Sequence, residues 1–270
     1  MMAPVTIPWT RLPFSFDPAL LRRDLGVIPD AAWVPHFNGN DYSGQWSSIA
    51  LRSRTGCSDD IVPRGTPADF TDTPLAAQCP AMMSVVQTFD FPKKSVRLLR
   101  LRPGSKVREH RDADLGLADG EIRIHVPILT NDRVEFIVAN RRLMLRPGEA
   151  WYIDFSQAHR IDNEGDTDRI HLVIDGRAND WVLSLIRRAA TEVSSETYEP
   201  DRVRSFRDFR DAVFEDPQLQ AELLKIEDRQ ALFEAVVALG AARGHRFTLA
   251  EVQSAYEERR RAWSDRSRQL

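Results

Sequence analysis

The sequence predicts an all-β core, either an antiparallel sandwich or a jelly roll, with flanking helices and a helical C-terminal segment. Three observations support this fold class. Between residues 95 and 175, apolar and polar residues alternate over short stretches, which is typical of half-buried strands. Turn sequences such as Pro103-Gly104 and Arg146-Pro147-Gly148-Glu149 separate these stretches, and no long helical pattern lies between them. After Gly176 the apolar spacing becomes helical.

The N-terminal part is predicted to contain two short helices and a strand. An Asp-Pro pair followed by apolar residues at helical spacing predicts a helix over residues 17–25. The run SIALRS, which ends at residue 53, predicts a strand, and a polar loop follows over residues 57–74. Pro80 opens a second helix over residues 80–89, and apolar residues on both of its sides indicate burial against a sheet.

The stretch from Glu121 to Ile128 is the clearest strand of the sequence. Its isoleucine and valine residues share one face, while Arg123 and His125 share the other. The same alternation predicts further strands over residues 96–102, 106–112, 134–138, 142–145, 150–154 and 169–175. The polar segment RIDNEGDTD, residues 160–168, is predicted to be the loop before the last of these strands.

The C-terminal third is predicted to be helical. Residues 180–193 have an amphipathic pattern, and the polar segment SSETYEPDRVRS that follows is typical of a linker. Apolar residues resume at helical spacing from Phe206, and Gly240 and Gly244 are expected to end the helical run that begins at Asp228. Thr248-Leu249-Ala250-Glu251 is a capping-box pattern that opens the last helix. We therefore expect a β domain with N-terminal helices over residues 1–195 and a small helical domain over residues 203–270.

Composition limits the class of protein and its partners. The chain has 270 residues, with 37 basic and 40 acidic side chains and a net charge of -3, so its charge favours neither nucleic acid nor an anionic membrane as a partner. Cys57 and Cys79 are too few for a disulfide framework and are expected to be reduced thiols. Prolines interrupt the N-terminus, which does not resemble a signal peptide, and no stretch could span a bilayer. These features predict a cytoplasmic protein.

Three residues have the types and spacing of metal ligands. His110 and Asp112 lie two positions apart, so both side chains of an extended strand would point to the same face. His159 would add a second imidazole from a distant strand. Two imidazoles and one carboxylate suit non-haem Fe(II) and leave positions open for a co-substrate and oxygen. Other carboxylates lie close in sequence, namely Asp114, Asp154 and Asp162, and Asp114 is the main alternative because it shares the face of Asp112.

Such an iron site can hold a bidentate 2-oxo acid, whose far carboxylate requires a cation. Arg169 follows His159 by ten residues, and arginine suits bidentate pairing with a carboxylate; the alternative is a surface strand residue. Arg123 and His125 could donate to the metal-bound carboxylate or to substrate, or could belong to an outward polar face. His171 shares a strand face with Arg169.

Four segments together resemble the aspartyl/asparaginyl β-hydroxylase family of Fe(II)- and 2-oxoglutarate-dependent oxygenases: SVRLLRLRPGSKVREHRDADLG, GEIRIHVPILTN, LRPGEAWYIDFSQAHRIDNEG and DRIHLVID. The resemblance covers the chain from Trp33 to Asp175. It implies a double-stranded β-helix in which His110, Asp112 and His159 ligate iron and Arg169 pairs with the C5 carboxylate of 2-oxoglutarate. Arg123 and His125 match family positions that help to hold this co-substrate.

Two further features of the resemblance concern the substrate. Asp112 makes the sequence more similar to bacterial members, among which are hydroxylases of free amino acids such as proline, because animal membrane-bound members lack the carboxylate ligand. The segments FRDFRDAVFEDPQLQAELL and GHRFTLAEV resemble, less specifically, the small helical domain of nitrogen-fixation-associated proteins. This second resemblance implies a peptide-linked substrate or a protein partner.

The expected function is that of a 2-oxoglutarate-dependent dioxygenase that hydroxylates an amino acid, free or within a peptide, consuming O2 and producing succinate and CO2. One alternative is a non-catalytic metal- or effector-binding module with the helical tail as its partner surface. Another is a cupin-like isomerase or metal-assisted hydrolase, which would not need Arg169. The C-terminal helices also offer a surface for a homodimer.

Overall fold

The computed structural model describes residues 7–37, 39, 41–112, 115–139, 141–193, 201–253 and 255–256. The chain divides into two compact units, one of residues 1–139 and 143–197 and the other of residues 140–142 and 198–270. Among the described residues, every helix is too short or too polar to cross a membrane.

Strands dominate the first unit, and the first two residues of one strand, β10, belong to the second. In chain order they are β1 (Trp9–Ser15), β2 (Val34–Pro35), β3 (Tyr42–Ser43), β4 (Trp46–Ser53), β5 (Thr71–Asp72), β6 (Lys93–Leu101), β7 (Lys106–His110), β8 (Glu121–Leu129), β9 (Val134–Val138), β10 (Arg141–Leu143), β11 (Glu149–Ile153), β12 (His159–Asn163) and β13 (Arg169–Arg177). The helices of this unit are α1 (Pro18–Leu25), α2 (Pro80–Thr88) and α3 (Asp180–Val193).

The strands form an eight-stranded and a five-stranded sheet. The larger sheet has the order β1-β11-β8-β13-β6-β4-β2, with β5 paired to β4, and the smaller has the order β10-β9-β12-β7-β3. The central strand β13 is antiparallel to both of its neighbours, with Val173 opposite His125 of β8 and Arg97 of β6. This is the jelly-roll, or double-stranded β-helix, core with flanking helices that the sequence predicts.

Two apolar clusters lie on opposite faces of the larger sheet. The outer cluster joins even-numbered residues of β8, such as Ile122 and Ile124, to Leu21 of α1, Met82 of α2 and Ile186 of α3. The inner cluster joins the two sheets, because it contains side chains of both: Leu99, Leu101 and Val173 from the larger sheet and Val107, Phe136 and Ile161 from the smaller. The face of β8 that carries Arg123 and His125 is therefore the inner one and not the outward polar face that the sequence left open as an alternative.

Three sequence-based expectations need correction. The segment 160–168 was expected to be a loop, but its first part continues β12, which pairs with β7 and β9. The strand expected over residues 106–112 ends at His110, so Asp112 lies just beyond β7, where its backbone N–H donates to the Phe155 carbonyl at 3.0 Å. Gly240, expected to end a helix, lies inside one.

The second unit is helical. It contains α4 (Asp201–Glu215), α5 (Pro217–Leu223) and α6 (Arg229–Ala242), followed by a helical segment that begins at residue 249. Asp216 and Asp228 cap α5 and α6 through their side chains, and the Thr248 backbone N–H donates to Glu251 at 2.6 Å in the expected capping box. Its own apolar core consists of Phe209, Leu219, Leu223, Phe233, Phe247 and Val252.

Candidate metal centre

His110, Asp112 and His159 converge between the two sheets. Because β7 and β12 pair with His159 directly opposite His110, the two imidazole rings lie 4.2 Å apart between centroids. Asp112 follows the end of β7, and one ligand atom from each of the three side chains lies within 4.8 Å of the others. Two antiparallel strands and one residue beyond them thus bring all three predicted ligands to one point.

Backbone carbonyls set the orientation of both imidazoles. His110 Nδ1 lies 2.8 Å from the Arg108 carbonyl, and His159 Nδ1 lies 3.0 Å from the Gln157 carbonyl. Since a carbonyl oxygen can only accept, Nδ1 carries the hydrogen in both rings. Each neutral ring therefore keeps its lone pair on Nε2, the atom that His110 presents 3.5 Å from Asp112 Oδ1. This donor set fits a divalent iron held by two imidazoles and one carboxylate.

The charge states of His159 and Asp112 agree with metal binding, whereas His110, whose pKa is raised, has to release its Nε2 proton when a metal binds. Burial lowers the pKa of His159 to about 4, so its imidazole is neutral near pH 7. Burial opposes ionisation of Asp112, but hydrogen bonding to His110 and the charge of Arg123 hold its pKa well below the usual range. The contact with Asp112 raises the pKa of His110. Metal binding requires neutral imidazoles and an ionised carboxylate.

Arg123 holds the carboxylate of Asp112 in place. Its Nη1 donates to Asp112 Oδ2 at 2.9 Å, and its Nε donates to Asp175 Oδ1 at 2.6 Å. Asp175 also accepts from Arg97 Nη2 at 2.6 Å. All these groups except Asp112 are buried, so the larger sheet presents a rigid, hydrogen-bonded network to the metal ligand. The Arg123 side chain thus lines the cavity and contacts Asp112, and it does not belong to an outward polar face.

Arg169 differs from Arg97 and Arg123 in having no acidic partner among the described residues. It is 1% exposed, burial alone lowers its pKa to about 9, and its Nε has no hydrogen-bond partner in the described chain. Its Nη2 lies 3.0 Å from His171 Nδ1, and its guanidinium lies 5.2 Å from the centroid of the Phe136 ring. An unneutralised buried cation of this kind is suited to binding an anion.

A cavity of about 590 Å³ connects these groups. The cavity is lined by all of the proposed ligands and co-substrate residues: His110, Asp112, His159, Arg123, His125 and Arg169. Asp154 and Asp162 do not line it. Asp154 accepts from the backbone and hydroxyl of Ser156, Asp162 pairs with Arg160 at 2.7 Å, and Asp114 lies outside the described residues. A volume of this size is typical of small-molecule sites.

Comparison with known proteins identifies the family. The family model described as aspartyl/asparaginyl beta-hydroxylase matches residues 21–178, which is more than half of the chain. The chain belongs to this family. It is therefore an oxygenase, as the sequence predicts.

One curated protein and two solved structures illustrate the similarity. The L-proline cis-4-hydroxylase of Rhizobium meliloti (strain 1021) is 26% identical over 204 residues, which cover 74% of this chain and 70% of that protein. A prolyl-4-hydroxylase structure from Pseudomonas putida is similar over 64% of this chain and 93% of its own, with 13% identity and a TM-score of 0.40. A 2OG-Fe(II) oxygenase family oxidoreductase from Burkholderia pseudomallei covers 60% of this chain and 77% of its own, with 15% identity and a TM-score of 0.38.

Sequence reasoning missed several residues that line the cavity. His36 stacks on Trp46 with 3.5 Å between ring centroids, and burial followed by the charge of Arg97 lowers its pKa to about 3. Arg97 and Asp175 lie on the inner faces of β6 and β13. The alternation along β6 and β13 contained a signal for Arg97 and Asp175, because each is a charged residue on the inner face of a buried strand. No local signal identifies His36, because its stacking on Phe37 and Trp46 depends on how the intervening segment folds.

Proposed function

We propose that the protein is an Fe(II)- and 2-oxoglutarate-dependent dioxygenase that hydroxylates an amino acid, free or within a peptide. Membership of the aspartyl/asparaginyl β-hydroxylase family supports the reaction class. The relative named L-proline cis-4-hydroxylase supports an amino acid as substrate. The geometry of the cavity supports Fe(II) as the metal and 2-oxoglutarate as the co-substrate.

One observation carries the proposal: Arg169, a buried cation without an acidic partner in the described chain, shares a cavity with the His110, Asp112 and His159 cluster. A co-substrate that chelates the metal through its 2-oxo acid end could extend its other carboxylate to this guanidinium. A cupin-like isomerase or hydrolase would use the metal cluster but would not need the cation. Arg169 therefore favours a co-substrate with two acidic ends.

Each residue has a distinct role in this proposal. His110, Asp112 and His159 hold the iron, Arg123 orients Asp112, and Arg169 pairs with the far carboxylate of 2-oxoglutarate. The bound iron and 2-oxoglutarate supply the oxidising chemistry, in which one oxygen atom of O2 enters succinate with loss of CO2 and the other enters a substrate C–H bond. The protein places that C–H bond, and the aromatic wall of Phe155, Trp46 and His36 excludes water.

The test is succinate formation by the Fe(II)-loaded protein with 2-oxoglutarate and a panel of free amino acids and short peptides. We expect at least one substrate to gain one oxygen atom by mass spectrometry, with one succinate formed for each product. His110→Ala and Arg169→Ala should lose this activity. Arg100→Ala is the matched control, because Arg100 is also a buried strand arginine but pairs with Asp30 outside the cavity.

Two outcomes would overturn the proposal. The first is the absence of 2-oxoglutarate-dependent product with every amino acid and peptide while the folded protein retains bound Fe(II). The second is undiminished 2-oxoglutarate binding by Arg169→Ala, which would favour metal chemistry that does not use a second carboxylate. An anaerobic titration with Fe(II) and 2-oxoglutarate, followed by its visible charge-transfer band, measures that binding directly.

A further inference from the structure

His171 is the immediate neighbour of the cation Arg169 on β13. Its Nδ1 lies 3.0 Å from Arg169 Nη2 and 3.2 Å from His125 Nδ1, and all three side chains are buried. We infer that His171 is a positioning residue that holds Arg169 by a neutral acceptor and thereby leaves its positive charge available to a ligand carboxylate. This inference rests on the proposed function, because the ligand is the far carboxylate of 2-oxoglutarate.

The hydrogen-bond geometry determines which atoms carry hydrogen. A guanidinium can only donate, so the contact with Arg169 requires a lone pair on His171 Nδ1. His125 Nδ1 meets that same lone pair and must therefore carry its own hydrogen. His125 Nε2 is then an unprotonated acceptor, and it has no hydrogen-bond partner within the described chain. The chain of contacts fixes the tautomers of both rings.

The neutrality of His171 is the important property. Burial, followed by the charge of Arg169, lowers the pKa of His171 well below the ordinary histidine value. A neutral imidazole can restrain the guanidinium without cancelling its charge. Arg97 and Arg123 show the contrasting arrangement, because the carboxylate of Asp175 lies against both of them. A carboxylate at position 171 would neutralise Arg169 in the same way and compete with an entering anion.

A second contact supports a positioning role. The Arg169 guanidinium also lies 5.2 Å from the centroid of the Phe136 ring, and Phe136 and His171 have ring centroids 6.5 Å apart. The ring and the imidazole therefore restrain the guanidinium, while Arg169 Nε has no partner in the described structure. Preorganised donors of this kind bind a carboxylate without first breaking an ion pair.

The experiment compares three substitutions by isothermal titration calorimetry of the Zn(II)-loaded protein with 2-oxoglutarate and with 2-oxopentanoate, which lacks the far carboxylate. His171→Asn keeps a neutral acceptor near the position of Nδ1, and we expect its 2-oxoglutarate Kd to stay within about 3-fold of wild type. His171→Leu removes the acceptor and should weaken 2-oxoglutarate binding about 10-fold. His171→Asp, which has the shape of Asn but a negative charge, should weaken it about 100-fold.

The analogue separates the proposed role from a general structural one. None of the substitutions should change the Kd of 2-oxopentanoate by more than about 3-fold, because this ligand makes no charged contact with Arg169. Equal weakening of both ligands by His171→Leu would overturn the inference, and so would equal 2-oxoglutarate affinity of the Asn and Asp variants. If wild type binds the two ligands equally well, the proposed function itself fails.

A measurement on the unmutated protein tests the hydrogen positions directly. Nitrogen-15 NMR of the histidine rings reports which ring nitrogen carries hydrogen, and it does not depend on the folding of any variant. We expect the His171 resonances to show an unprotonated Nδ1 and the His125 resonances to show a protonated Nδ1. A protonated Nδ1 on His171 would overturn the inference.

Discussion

Arg123 Nη1 donates to Asp112 Oδ2 at 2.9 Å, which leaves Asp112 Oδ1 on the side of His110 Nε2. The donor belongs to β8 of the larger sheet, whereas the acceptor follows β7 of the smaller sheet. Asp175 restrains the same guanidinium through Nε at 2.6 Å. The larger sheet therefore orients the carboxylate of Asp112, which follows a strand of the smaller sheet, and one carboxylate oxygen is left for the proposed metal.

Replacing Arg123 with Met should weaken metal binding. The variant keeps a side chain of similar length but loses the donor to Asp112, so the carboxylate is free to rotate away from the two imidazoles. Partners that orient metal ligands typically contribute about 10- to 100-fold to metal affinity. A Co(II) titration of the apoprotein, followed by its visible absorption, measures the change. Arg100→Met, which removes a buried arginine outside the cavity, should bind Co(II) as wild type does, and an unchanged affinity of Arg123→Met would contradict the orienting role.

The Lys94 and Glu121 pair allows a test of charge burial in the cavity wall. Both side chains are about one-tenth exposed, and Glu121 also accepts from Arg177 Nη1 at 2.9 Å. Glu121→Gln leaves Lys94 buried without a counter-charge and should lower the free energy of unfolding by roughly 3 kcal/mol. Lys94→Met should lower it less, because Arg177 still pairs with Glu121. Urea unfolding measures both changes in the free energy of unfolding. A larger decrease for Lys94→Met than for Glu121→Gln would contradict the role of Glu121 as the counter-charge of Lys94.

The sequence predicts the main parts of the site because strand alternation and ligand spacing are local signals. The shared face of Arg123 and His125 on β8, the proposed ligands His110 and His159, and the strand that begins at Arg169 all follow from the sequence. Asp112 lies beside His110 and His159, as predicted, but it does not belong to the strand that was predicted to carry it. It lies beyond the end of β7, and a backbone contact with Phe155, not strand geometry, places it.

The features that escaped prediction depend on distant partners. Strand β12 contains only one aliphatic residue, Ile161, and its outward pair Arg160 and Asp162 gives it the composition of a loop. Strand β1 contains Pro13, which is compatible with a strand because β1 lies at the edge of its sheet. Both segments are strands because they pair with neighbouring strands. Such pairing cannot be recognised from a short stretch of sequence.

His36 provides a prediction about acid stability. Its pKa is lowered to about 3, first by burial and then by the charge of Arg97, so it stays neutral in the folded protein when an unfolded chain takes up a proton near pH 6.5. Unfolding therefore binds a proton at acidic pH, and the free energy of unfolding decreases as the pH falls from about 6.5 towards 3. One such group contributes a slope of about 1.4 kcal/mol per pH unit.

The variant His36→Phe removes the group that takes up this proton and keeps a ring against Trp46. It should therefore reduce the slope by about 1.4 kcal/mol per pH unit. Urea unfolding at several pH values between 4.5 and 6 measures the slope. Between pH 7.5 and 8.5 the two proteins should show the same pH dependence, since the unfolded histidine is neutral there. If the free energies of unfolding of wild type and variant changed equally with pH between 4.5 and 6, His36 would not be held neutral in the folded protein.

The two Pro-Gly turns differ in what surrounds their glycines. Gly104 and Gly148 have φ values of +74° and +82°, so both lie in the left-handed region that favours glycine. A Cβ at Gly104 would meet nothing within 4 Å, whereas a Cβ at Gly148 would lie 2.1 Å from the Phe16 carbonyl oxygen. Phe16 cannot easily move, because its backbone N–H donates to the Gly148 carbonyl at 2.8 Å.

Alanine substitutions at the two positions therefore form a matched pair. Gly104→Ala should lower the free energy of unfolding by about 1 kcal/mol, which reflects backbone strain alone. Gly148→Ala carries the same strain and an additional clash with backbone, so we expect it to lose at least about 2 kcal/mol more. Thermal and urea unfolding measure the difference. Similar losses at both positions would contradict the close approach of the Phe16 segment to the turn before β11, because only that approach distinguishes the two glycines.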